Sequence, residues 1–129
     1  MRNSRTGLAT TSVEQTGRRG SRFTPAVSNT ADEATECVVV NVSGAFRTVV
    51  VEVRDNTGAA VASSSCLSAN PKIVFLAPGE TALNVCSTAT AAVRYCHFSV
   101  PGFPKTNIRG VLQILDDSTS ATKATIAAE

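Results

Sequence analysis

The chain has no tryptophan, and tyrosine, histidine and methionine occur once each. With only Tyr95 and five phenylalanines for aromatic area, a broad aromatic binding surface is excluded. The core must be assembled from Val, Ala, Leu and Ile, whose shapes favour pleated sheet. The single histidine, His97, carries a second exclusion. Any Ser–His–Asp or Cys–His relay would have to pass through it, and no G-x-S-x-G is present to hold a nucleophile. If Cys96 points inward, strand alternation turns His97 outward and away from it. Zinc is disfavoured too, because the four cysteines are separated by 28, 19 and 9 residues with no C-x-x-C pair. No apolar run reaches about 18 residues, so no helical membrane span is expected.

Charge is nearly balanced overall, at +2, but unevenly distributed. Residues 1–30 hold five arginines (Arg2, Arg5, Arg18, Arg19, Arg22) against Glu14, a net of +4. Residues 31–129 hold seven Lys/Arg against nine Asp/Glu, a net of −2. A mildly acidic domain has no electrostatic reason to hold nucleic acid, and none is expected as a partner. Residues 1–33 are rich in Ser, Thr, Arg, Gly and Asn and poor in apolar groups, a composition that cannot offset its own ordering entropy. They are expected to form a flexible basic arm ahead of one domain, residues 34–129. Leu8, Val13, Phe23 and Val27 are its candidate anchors on a protein partner or a second copy, by addition to a sheet edge. Arg18-Arg19 resembles a twin-arginine export pair, but no apolar stretch follows, since 23–27 is short and contains Pro25.

What is present from Cys37 onward is a succession of Val-rich runs separated by turn signals. Residues 36–43 and 46–54 read as strands joined at Gly44 into a hairpin. In the second of them Val49, Val51 and Val53 share a face opposite Thr48, Glu52 and Arg54. The turn at 55–58 ends in Gly58 and leads to 59–66. Further strands are expected at 72–76, 81–86, 91–100, 107–115 and 119–126, with Pro71, Pro78 and Pro101 in the connections. Seven or eight short strands at this spacing predict an all-β antiparallel sandwich. Both faces of 37–42 and 108–115 carry apolar residues, which suits either a covered central strand or an interface.

The 49–54 run, the 55–58 turn, the 76–80 element (LAPGE) and the Tyr95-Cys96-His97-Phe98 strand together resemble small bacterial extracellular immunoglobulin-like modules, over roughly 36–126. That resemblance implies an immunoglobulin-like sandwich and a surface location. It departs from antibody-type domains in lacking the tryptophan of their core.

Two disulfides suit four cysteines in a small β-rich chain and imply an oxidising compartment, so the protein is expected to be secreted, periplasmic or on the cell surface. A Cys37–Cys96 bridge would tie an early strand to a late one between sheets, and Cys66–Cys86 would close the excursion around Pro71. Asp116-Asp117-Ser118 reads as a hairpin turn rather than a calcium site. Asn41-Val42-Ser43 matches the N-glycosylation sequon but falls inside an expected strand. No catalytic, cofactor or metal constellation is expected. The favoured role is a non-enzymatic structural or interaction module, a self-assembling surface or filament subunit using its arm. The alternative is a monomeric secreted binder of a small ligand or carbohydrate, with only Tyr95 and Phe103 available for stacking.

Overall fold

A computed structural model describes residues 20–88, 90–102 and 107–129. Among them are nine strands and one short 3-10 turn, Ser63–Ser65. The strands are β1 (Ser21–Phe23), β2 (Val27–Asn29), β3 (Glu33–Asn41), β4 (Arg47–Asp55), β5 (Lys72–Leu76), β6 (Thr81–Ser87), β7 (Ala92–Ser99), β8 (Ile108–Asp116) and β9 (Thr122–Ala127). They form two antiparallel sheets packed as a sandwich. One runs β1-β7-β4-β5, with β2 continuing β1 along β7; the other runs β6-β3-β8-β9. No helix among the described residues is long and apolar enough to cross a membrane.

The period-two pattern decides the core. Val49, Val51 and Val53 of β4 face Cys37 and Val39 of β3, with Cys96 and Phe98 of β7 and Ile108 and Leu112 of β8 completing the dry interior. Gly110 is required here, because a Cβ on it would lie 2.4 Å from the Phe98 ring. The Cys37–Cys96 disulfide joins the two sheets through the centre of this core. The second disulfide, Cys66–Cys86, fastens the 62–71 connection to β6. Both pairings are those expected from chain order, and they require an oxidising environment to form and persist.

Two expectations are corrected. Residues 36–43 and 46–54 do not form a hairpin: β3 pairs with β6 and β8, and β4 with β5 and β7, so the chain crosses between sheets at Gly44. The cause is Asn41, which is fully buried at the corner. Its amide nitrogen donates to the carbonyls of Ala45 and Leu76, both at 2.9 Å, while its oxygen accepts from the Ser43 backbone N–H and hydroxyl. These bonds satisfy polar groups that a hairpin ladder would otherwise pair. They also occupy the sequon asparagine, which leaves it no free nitrogen for a glycan.

Strand pairing also includes residues before 34, which were expected to belong to the arm. Ser21–Phe23 and Val27–Asn29 both pair with β7, in registers that differ by one residue. Pro25, lacking an N–H, sits at that irregularity on the sheet edge, where proline is tolerated. Thr24 bridges it: its N–H donates to the Cys96 carbonyl and its hydroxyl accepts from the Cys96 N–H. Composition alone hid this, because two three-residue strands leave almost no periodic signal.

Candidate functional site

A sandwich has four strand edges, each a row of unpaired backbone groups able to accept another strand. Three of them are guarded. Along β1 and β2 the guard is the Pro25 irregularity, plus a reciprocal pair of backbone bonds between Phe23 and Glu129 at 3.0 and 2.8 Å. The β6 edge is covered by the 62–71 connection, through the Leu67 N–H to the Val85 carbonyl and the Asn84 side chain, which bonds Ser68 and Ala69. The Cys66–Cys86 bridge holds that cover down. β9 is largely exposed and polar, carries Lys123 and meets β8 with a register shift at Ile114/Leu115.

β5 differs in every respect. It pairs with β4 alone, contains no proline, and its one charge, Lys72, turns its ammonium back onto the Leu83 carbonyl at 3.0 Å. Its outward side chains are apolar: Ile73 is 70% exposed and Phe75 67% exposed. Phe46, which precedes β4, is 55% exposed and stacks on Phe75 with ring centroids 5.1 Å apart. Leu83 on β6, in the other sheet, and Leu67 in the 62–71 connection are also exposed. Large side chains in water next to an unpaired strand are the arrangement expected of a surface that another chain covers.

The remaining polar cluster lies on the outer face of the same sheet, where β1, β7 and β4 run side by side. His97 Nδ1 is 3.1 Å from Glu52 Oε1, and Nε2 is 3.2 Å from Ser21 Oγ. A carboxylate only accepts, so Nδ1 carries the proton and Nε2 accepts from the serine hydroxyl. Burial, and then the positive charge of Arg54, hold His97 below its ordinary pKa, against the pull of Glu52. Arg54 shares the Glu52 carboxylate and stands over the Phe23 ring, which itself stacks on His97 at 4.5 Å. The contact order resembles a serine relay. The imidazole fastens β1: it holds Ser21 by a hydrogen bond and Phe23 by stacking. Alternation correctly separated His97 from Cys96, but nothing in the sequence showed that Ser21 would return beside it.

Phe23 and Val27 thus sit within their own sheet, at register positions opposite His97 and Arg94. Leu8 and Val13 lie outside the described residues, as does Phe103, whereas Tyr95 is half-buried near Phe23. Asp116 forms a turn: its Oδ1 accepts from Ser118 N–H and hydroxyl and from Thr119 N–H, and these bonds hold its carboxyl below the usual range. Asp32, Asp116 and Asp117 line an open recess of about 400 Å³. No group of three or more potential ligands that could hold a metal ion occurs among the described residues. No protein-family profile, curated protein or solved structure matches the chain.

Proposed function

We propose that the protein is a non-enzymatic structural module, exported to the cell surface or beyond, that associates with protein, and with copies of itself, through the β5 edge. The observation that carries this reading is the unguarded edge itself, with Ile73 and the stacked Phe46–Phe75 pair standing in water beside unpaired backbone groups. The two disulfides support export, because they persist where thiols are not kept reduced. An inter-sheet disulfide at the centre of the sandwich is also a feature of immunoglobulin-like domains and supports that kinship. The strand after the second cysteine of that bridge nonetheless crosses to β3, whereas an immunoglobulin domain returns it beside its predecessor.

Light scattering on the full chain across a concentration series tests the proposal. Association that grows with concentration, and is abolished by Ile73→Lys or Phe75→Lys with the disulfides and circular dichroism intact, supports it. A wild-type chain that stays monomeric at every concentration overturns it.

A further inference from the structure

We propose that the β5 edge is covered by β5 of a second copy, paired antiparallel about a two-fold axis at Val74; this rests on the self-association reading above. The direction of the backbone groups along β5 follows from β4. Val53 gives its N–H to the Asn70 side-chain oxygen, and its carbonyl accepts from the Val61 N–H and the Asn70 side-chain nitrogen, all on the flank of β4 that carries β5. Backbone groups alternate in direction along a strand, so Val51 and Val49 turn theirs to the same flank, onto Lys72 and Val74 opposite them. Ile73 and Phe75 therefore aim N–H and carbonyl away from β4, and no described residue bonds them. The open edge thus offers four backbone groups, and they belong to the two residues whose apolar side chains stand in water.

Those four groups are self-complementary in one register. With Val74 opposite Val74 of the second copy, Ile73 of each copy meets Phe75 of the other as a hydrogen-bonded pair. Each such pair exchanges two bonds, so every free group on both edges is used. Sliding by two residues one way sets Phe75 against Pro71, which has no N–H. Sliding by two the other way sets Ile73 against Ala77, whose N–H is already donated to Glu80 Oε1 at 2.7 Å. A one-residue slip aims free groups at groups already bonded to β4 and pairs none of them. The axis stands perpendicular to the sheet, which keeps the outward side chains of both copies on the same side. Each Ile73 then lies beside the other copy's Phe75, itself stacked on Phe46, and the exposed apolar groups form one strip across the joint. A parallel two-fold pairing would turn the two sets to opposite sides of the sheet. The contact uses the same surface of both copies, so it closes as a dimer with one sheet continuous through it.

Cross-linking of the full chain tests the register. Cα atoms of Ile73 and the other copy's Phe75 would lie about 5.5 Å apart, within reach of a disulfide, whereas Ile73 would lie about 9 Å from its own counterpart, beyond that reach. Mild oxidation of a mixture of Ile73→Cys and Phe75→Cys is expected to give a covalent heterodimer, with peptide mapping placing the bridge between the two introduced thiols. Either variant alone is expected to give almost none. In wild type, light scattering should level off at a dimer, and the Ile73 and Phe75 amides should exchange more slowly in the associated form than in dilute monomer while that of Val74 is unchanged. If one variant alone bridges as readily as the mixture, the register about Val74 is wrong. If Ile73→Lys abolishes association but the Ile73 and Phe75 amides are not slowed in associated wild type, or the associated mixture forms no bridge, the edge reading stands and β5 of a second copy is not its occupant. Growth beyond a dimer overturns the two-fold closure. A wild type that stays monomeric, or Ile73→Lys that still associates, removes both readings.

Discussion

At the scale of single residues, two positions hold roles that no pattern in the chain announces. Gly110 looks like an interruption of an apolar strand, yet it is the gap into which Phe98 fits. Gly110→Ala forces the ring or both sheets to move. The expected cost is about 1–3 kcal/mol, read as a lowered denaturant midpoint with an unchanged slope. Burial and Arg54 hold His97 below its ordinary value of 6.5. In the unfolded chain it therefore takes up its proton first as pH falls, so its contribution is present above about pH 6.5 and is lost on acidification. Between about pH 7.5 and 5 the thermal midpoint of wild type should fall more than that of His97→Gln. The carboxyls of Glu33, Asp55 and Asp116, held below their usual range by their own hydrogen bonds, should act only at lower pH. An equal fall in the two proteins would show that His97 does not fasten β1 in the way its contacts indicate.

At the scale of elements, the periodic runs were legible and the connections were not. Alternating valines mark β4 in the sequence, and the expected strands at 72–76, 81–86 and 107–115 lie within a residue or two of β5, β6 and β8. Alternation fixes which face of a strand is buried, but it does not say which sheet the strand joins. The break at Gly44 reads equally well as a hairpin and as a crossing, and the decision belongs to Asn41, which adds to its local bonds with Ser43 and Ala45 a bond to the Leu76 carbonyl, 35 residues away, that no local pattern announces. Asn70 works in the same way, accepting from the Val53 N–H and donating to the Val53 and Val61 carbonyls. Asn41→Ala would strand buried carbonyls without donors, at about 1–3 kcal/mol, and Asn41→Asp should cost more because it buries a charge. Urea unfolding of the two variants checks the order, and an aspartate variant as stable as wild type would refute this account of the corner.

At the scale of the whole molecule, the two disulfides divide their labour. Cys37–Cys96 spans 59 residues and Cys66–Cys86 spans 20, so loop entropy assigns the bridges about 4 and 3 kcal/mol. A domain of this size is stable by only about 5–15 kcal/mol, so losing both should leave it close to unfolding. Their positions separate them further. The first is buried among Val39, Val51, Val53 and Phe98, and its removal also disturbs packing between the sheets. The second lies nearer the rim, joining half-buried Cys66, which packs against the core from the 62–71 connection, to buried Cys86 of β6, and it secures the cover over the β6 edge. Cys66→Ser/Cys86→Ser should therefore stay folded while the 62–71 connection loosens, exposing a second unguarded edge next to β5. Its expected signature is protease cleavage within 62–71 at a rate above wild type, together with association that Ile73→Lys no longer abolishes, because strands can now add at β6. Cys37→Ser/Cys96→Ser should instead lower the global midpoint by the larger amount and speed cleavage throughout the chain. Should the rim variant lose more stability than the core variant, with no preferred cleavage site, the division between a bridge that joins the sheets and a bridge that guards an edge would be wrong.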